Sequence, residues 1–324
     1  MELTFTKMHG IGNDFIVIDA RDIDLAGRFD RGELARTLCS RRFGVGADQV
    51  LLLLDSGVAD FTMKIYNADG SEVEMCGNGI RCLAKYVWDR GLSTKDTLEI
   101  DTLAGVIRPE RAGNLVRVDM GEPVFDAERI PVNLESASPI VDYPLRINDR
   151  EFKVTCVSMG NPHAVVFMEE DIADFPVALY GPIIETHTLF PNKTNVEFVT
   201  VGSRKDLTMR VWERGSGETM ACGTGASAVG VAAMLKGLTE RTVTVHLLGG
   251  DLVIEWPQNG HVYMTGPAEE VFEGRIASIA GRGQNSRDLR ARHAAPNRDS
   301  VTRANPEAPQ SAGAPGLRAG AGQD

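Results

Sequence analysis

Two short stretches, "EMCGNGIRC" from Glu74 and "MACGTGASA" from Met220, each set a cysteine before a Gly-x-Gly and a helix-like run. A cysteine at a helix start faces the positive end of the helix dipole, which favours the thiolate and predicts a lowered pKa. The N–H groups of Gly77, Asn78, Gly223 and Thr224 are first-turn donors with no partner inside a helix. Such donors suit a carboxylate, as helix N-termini suit anions generally. Two cassettes facing one cleft would hold one carboxylate from both sides. Cys76 and Cys222 would then stand on opposite faces of the neighbouring carbon. One thiolate takes the Cα proton, the opposite thiol returns a proton to the other face, and the stereocentre inverts. Positioned proton transfer supplies about 10²–10⁴-fold. Preorganised N–H donors in a closed, dry site must therefore carry much of the remaining stabilisation. Nothing in the sequence suggests a pyridoxal phosphate or metal cofactor; neither a CxxC nor an HExxH pair is present.

The other cysteines read differently. Five scattered cysteines do not form a disulfide framework. Cys39 and Cys156 sit in unremarkable surroundings and read as small buried hydrophobes. Cys82 follows Cys76 by nearly two helical turns, and Ala228 stands at its counterpart, so it reads as core.

The cassettes belong to a longer repeat. Residues 60–80, "DFTMKIYNADGSEVEMCGNGI", align without a gap to residues 206–226, "DLTMRVWERGSGETMACGTGA", at an offset of 146. Gln49-Val50 meets Asn195-Val196 at the same offset, and "NDFIVI" from Asn13 matches "NPHAVV" from Asn161 loosely. Two copies are too few for a solenoid and indicate two halves of one ancestral fold. "DFTMKIYN" and "DLTMRVW" alternate as strands, and "ADGS" and "RGSGE" follow as turns. After each cysteine the period becomes helical. "IRCLAKYVWDRG" gathers Ile80, Leu83, Ala84 and Val87 on one side and stops at Gly91. "ASAVGVAAMLKG" is apolar nearly all round, which predicts a buried helix. "QVLLLLD", "TLEIDTLAGVIRPER", "LVRVDMG" and "VTVHLLGGDLVIEWPQNGHVYMTG" read as further short strands. The expected fold is α/β, with two pseudo-symmetric halves, each of strands around a central helix.

The chain has 324 residues, enough for two domains with cores of their own. Its net charge of −11 argues against a nucleic-acid partner. No apolar run approaches a membrane span, and "MELTFTKMHG" lacks signal-peptide features, so a cytoplasmic location is expected. Residues 281–324 differ in kind. They carry seven Arg against three Asp and one Glu, with almost no large apolar residue, and read as a disordered tail.

"NADGSEVEMCGNGIR" (67–81), "MHGIGNDF", "GNPHAV" from Gly160 and "ERGSGETMACGTGASA" from Glu213 resemble the blocks of the diaminopimelate epimerase family, in order, over residues 1–277. The resemblance implies cofactor-independent conversion of LL-2,6-diaminopimelate to the meso isomer, in lysine and cell-wall precursor synthesis. It implies two barrel-like domains, each around a central helix, and a homodimer. The halves are expected at 1–121 and 122–261, with a last strand at about 262–277 returning to the first. Cys76 and Cys222 match the catalytic pair. Asn13, Gln49, Asn67, Asn161, Asn195, Glu213 and Arg214 match substrate-lining positions, and Gly77, Asn78, Gly223 and Thr224 match the carboxylate cradle. His163 and Glu213 match residues that tune the thiols. A guanidinium suits a second carboxylate, so Arg214 is the expected clamp for the distal end of the substrate.

Three rivals stand beside this reading. A proline racemase or hydroxyproline epimerase shares the two-thiol logic, but Arg214 and "NADGS" favour diaminopimelate. A thiol redox protein would use Cys76 and Cys222 as a regulatory disulfide. A non-catalytic carboxylate-binding module would need neither thiol.

Overall fold

The computed structural model describes residues 2–74, 76–134, 138–148 and 150–277. The expected tail at 281–324 lies outside them. Two mixed sheets divide the chain, and each takes most of its strands from one half. The first runs Glu269–Ile276, Leu3–Gly10, Asn13–Asp19, Gln49–Leu54, Phe61–Asn67, Ile100–Thr102, Gly105–Ile107. The second runs Tyr143–Ile147, Arg150–Ser158, Pro162–Met168, Asn195–Val201, Asp206–Glu213, Thr242–Leu247, Gly250–Glu255, and continues through Tyr263–Gly266, Leu115–Asp119 and Pro109–Ala112.

The first seven positions of the two paths correspond pair by pair, each pair having the same relative direction. The register corresponds as well: Phe15 pairs with Gln49 in one parallel pair, and His163 with Asn195 in the other. The repeat in the sequence is thus a repeat of topology.

The sheets are not divided where the repeat alone would divide the chain. Pro109–Ala112 and Leu115–Asp119 come from the first half yet extend the second sheet. Of the expected returning segment, Tyr263–Gly266 stays in the second sheet, and only Glu269–Ile276 crosses to pair with Leu3–Gly10. These exchanges bury backbone edges that each half would otherwise leave unpaired.

Each sheet surrounds one helix. The first central helix, Gly77–Asp89, touches strands from both sheets, and Ile80, Leu83, Ala84 and Val87 are wholly buried. It stops as expected near Gly91, which adopts a positive φ of 63° and donates to Trp88 O. The second central helix, Gly223–Leu235, is buried on nearly every side by strands of the second sheet. Its Ala- and Gly-rich surface lets strands approach closely. A Cβ on Gly230 would lie 2.7 Å from Ile254 Cγ2. Two outer helices, Arg31–Cys39 and Val177–Glu185, lack a repeat signal and were not expected. Among the described residues no helix is long and apolar enough to cross a membrane.

Candidate active site

Cys76 and Cys222 are the N-cap residues of the two central helices, both in extended backbone. The two helix starts meet. Asn78 Nδ2 donates to Ala221 O at 3.4 Å and to Asn13 Oδ1 at 3.2 Å. A Cβ on Gly223 would lie 3.0 Å from Met264 Sδ, and one on Gly77 would lie 3.2 Å from Met264 Cε. One methionine therefore packs against both starts, and small residues are required there.

A hairpin turn locks the halves at the same place. Ile11 and Gly12 take positive φ values of 49° and 89°, the left-handed pair of a tight two-residue turn. A Cβ on Gly12 would stand 2.9 Å from Met220 Cβ, so the turn sits against the second cassette. Asn13 follows directly. Its Nδ2 donates to Asp48 Oδ2 at 2.8 Å, and Cys76 Sγ lies 3.7 Å from its Oδ1.

These residues line one cleft of about 1730 Å³. Asn13, Gln49, Asn67, Cys76, Gly77, Asn78, Asn161, Glu213, Arg214, Cys222, Gly223 and Thr224 all reach its wall. Gln49 Nε2 donates to Asn67 Oδ1 at 2.8 Å, which holds the pair side by side across neighbouring strands. Thr219 Oγ1 donates to Glu213 Oε1 at 2.5 Å. Arg214 is exposed and makes no ion pair among the described residues; its Nη1 reaches only Asn192 O, at 3.4 Å.

Two expected site residues stand behind the wall. Asn195 is buried, receives the Arg214 amide on Oδ1 at 2.9 Å and donates to Pro162 O at 2.9 Å, so it positions the Arg214 loop. His163 is wholly buried, with Nδ1 2.6 Å from Glu197 Oε1 and Nε2 2.9 Å from Asn161 Oδ1. It therefore reaches the cleft only through Asn161.

The expectation of lowered thiol pKa values is corrected. Burial pushes Cys76 above the ordinary thiol value; the amides of Gly79 and Asn78 pull it down, Glu213 pushes it up and Arg81 pulls it down. Cys222 is pushed well above, by burial first and then by Glu213 and Glu197, against Thr224 and the Gly225 amide. A helix end is worth about 0.3–2 kcal/mol. Full burial shifts a pKa by up to about 3–5 units, each about 1.4 kcal/mol. Burial therefore wins. Glu213 is raised too, by burial. Cys39, Cys82 and Cys156 are pushed up to about 12 by burial, and Cys39 backs the cleft wall.

Sequence reasoning missed Glu197, Arg81 and Arg41. Arg41 lines the cleft and binds Asp14 and Asp48. Glu197 and Arg81 left a signal, since the repeat places Leu51 and Ser227 opposite them.

Two lobes, each a mixed sheet around one helix, with both helix starts at a shared cleft, define a class of α/β folds that solved structures share. A Bacillus anthracis phenazine biosynthesis protein of the PhzF family has a similar structure, with a TM-score of 0.64 at 17% identity over 86% of this chain and all of that one. A probable proline racemase from Agrobacterium radiobacter K84 has a TM-score of 0.62 at 15% identity, covering 86% of this chain and 93% of that one. A family model described as Diaminopimelate epimerase matches residues 5–125 and 155–271. The diaminopimelate epimerase of Moorella thermoacetica is 54% identical over 276 residues, covering 83% of this chain and 98% of its own. That of Methanococcus maripaludis strain C5 is 50% identical over 280 residues, covering 85% and 99%. The chain belongs to the diaminopimelate epimerase family.

Proposed function

We propose that this chain converts LL-2,6-diaminopimelate to the meso isomer by a two-base mechanism in which Cys76 and Cys222 are the proton carriers. The observation that carries this reading is the meeting of two cysteine-capped helix starts at one cleft, joined through Asn78 and Met264. The reacting carboxylate lies between the helix ends, on the amides of Gly77, Asn78, Gly223 and Thr224. Charge that develops at Cα spreads into that carboxylate, where fixed donors meet it without reorganising. One cysteine, as thiolate, takes the Cα proton, and the other, as thiol, protonates the opposite face. The roles exchange when the reaction runs backward.

Arg214 holds the distal carboxylate, which explains why it lines the cleft without an anionic partner of its own. Asn13, Gln49, Asn67 and Asn161 supply donors and acceptors to the substrate's amino and carboxyl groups. Glu213 and His163 tune the thiols, Glu213 directly and His163 through Asn161 and Glu197. The two sheet-and-helix units are the two domains, exchanging strands at Pro109–Asp119 and Glu269–Ile276. Common ligand pockets occupy about 300–1,000 Å³, so a cleft of about 1730 Å³ must narrow on its substrate to exclude water. The family resemblance supports a cytoplasmic homodimer, which light scattering of the purified chain tests.

The reaction is tested in D₂O. Product should carry deuterium at the inverted centre from the first turnover, while unreacted substrate stays protiated early on. Cys76→Ala and Cys222→Ala should each abolish inversion. Internal return of the substrate's own hydrogen, or inversion at the wild-type rate by either single variant, would remove the two-base reading.

A further inference from the structure

The repeat is close enough that its breaks are informative. Beneath the first helix start, Phe15 and Leu51 are wholly buried, and both lie within 3.4 Å of where a Cβ on Gly79 would stand. The corresponding residues in the second half are His163 and Glu197, by strand register and by the offset of 146. They are wholly buried too. Glu197 Oε1 would lie 2.8 Å from a Cβ on Gly225, beside Cys222 Sγ at 3.2 Å. An apolar pair under one thiol is thus a histidine and a carboxyl group under the other. Among the described residues Glu197 Oε2 has no hydrogen-bond partner.

The opposite exchange occurs on the helices. Ser227 Oγ donates to Gly223 O at 2.9 Å. At the matching position Arg81 Nη1 donates to Gly77 O at 3.3 Å. Arg81 is wholly buried, and its remaining contacts are Pro267 O at 3.2 Å and Met264 Sδ at 3.5 Å. Among the described residues no carboxylate pairs with it, and Nη2 has no partner. Leaving a guanidinium buried and unpaired is costly. A transient anion on the same helix would offset that cost. The charged groups acting on Cys76 are Arg81, from its own helix, and Glu213, from strand Asp206–Glu213. Those acting on Cys222 are Glu213 and Glu197, the latter from strand Asn195–Val201 with His163 against it.

We infer that the two thiols are inequivalent in the free protein: Arg81 makes Cys76 the one that ionises first, and Glu197 makes Cys222 the one that keeps its proton longer. Glu213 acts on both but, of the two thiols, hydrogen-bonds Cys222 alone, so it adds to the difference in the same direction as Glu197. The proton of Cys76 leaves to solvent through the cleft. Arg81 and Glu197 are positioning residues that act through the cysteines and touch no substrate. The catalytic consequence rests on the two-base reading, since an enzyme of that kind needs one base and one acid ready at once.

The test does not depend on turnover. The intact protein is alkylated with iodoacetamide in brief pulses between pH 7 and 12, and each cysteine is followed by peptide mass spectrometry. The midpoint of rate against pH is read, because access of the reagent alters the rate but not the midpoint. Cys76 should show the lower midpoint. Arg81→Met should raise it by about one unit, the lower end of what a close opposite charge does, and Arg81→Lys should restore most of that shift. Glu197→Gln should lower the Cys222 midpoint and leave that of Cys76 nearly unchanged. A purely structural role would lower the melting temperature and move no midpoint. If Arg81→Met does not fold, Glu197→Gln and Arg81→Lys still decide. The inference is overturned if Cys222 titrates at or below Cys76 in the parent protein, or if Glu197→Gln leaves the Cys222 midpoint in place. Failure of the epimerase reading shows instead in the deuterium experiment, so the two failures are told apart.

Discussion

Adding one methyl group at equivalent places under the two thiols should have unequal effects. Gly79 and Gly225 are each the third residue of a central helix, and Gly→Ala in a helix gains about 1 kcal/mol from backbone entropy. At Gly79 the new Cβ would meet Leu51 Cδ2 at 3.3 Å, with Cys76 Cβ and Phe15 Cε1 at 3.4 Å. Ordinary carbon contacts lie near 3.5–4.0 Å, so neighbours need give only a few tenths of an ångström. At Gly225 it would meet Glu197 Oε1 at 2.8 Å and Cys222 Cβ and Sγ at 3.2 Å. Glu197 cannot retreat easily, because His163 holds it at 2.6 Å and both are wholly buried. Overpacking of this kind costs about 1–3 kcal/mol. Set against the helix gain, Gly79→Ala should be nearly neutral and Gly225→Ala should lose up to about 2 kcal/mol. For a domain of this size that is a fall of roughly 4–8 °C in Tm. The larger effect should be on rate. Displacing Cys222 by a good part of an ångström should lower kcat/KM by about 10²-fold. Gly79→Ala should stay within about tenfold of the parent, a smaller displacement on the same scale. Gly230→Ala is the control: it collides with Ile254 Cγ2 at 2.7 Å on the same helix, outside the cleft wall, and should lower Tm while sparing kcat. Differential scanning fluorimetry and deuterium-coupled epimerisation rates read both effects. Wild-type kcat/KM in Gly225→Ala, or greater damage from Gly79→Ala, would refute the reasoning.

Arg214→Ala should weaken substrate use by about 2–5 kcal/mol, because a desolvated distal carboxylate loses its charged partner; an unchanged kcat/KM in steady-state assays would point to a substrate with a single amino-acid head. Alkaline pH should destabilise the fold through Cys39, Cys82 and Cys156, each raised by burial to about 12. Above the unfolded thiol value near 9 the unfolded chain loses these protons first, so stability falls as pH rises, by on the order of 1 kcal/mol per thiol at pH 10. Chemical denaturation at pH 8 and pH 10 measures the fall. Cys82→Ala should make it shallower, and an equal or steeper fall in that variant would contradict the assignment.

Local pattern alone determined a large part of this protein. The doubled cassette, its strand before and helix after, and the buried character of "ASAVGVAAMLKG" follow from spacing and hydrophobic period, which any one segment carries in itself. The cleft residues near the cassettes, Asn67 and Arg214, were legible only through the family resemblance, because nothing in their own spacing marks them. What only the tertiary structure decided involves partners distant in the chain. Nothing local says that Pro109–Ala112 and Leu115–Asp119 join the far sheet, because a strand edge is satisfied by any backbone of the right register. Nothing local says that His163 lies behind Asn161, or that Asn195 braces a loop. The thiol pKa values are the clearest case. A helix start is visible in sequence and argues for a low value, but burial depends on how many elements converge there. Here both sheets and both helices do, and desolvation outweighs the dipole. Arg81 and Glu197 stand between the two cases. Their departure from the repeat was written in the sequence, but its meaning required knowing which side chains the fold leaves buried and without partners.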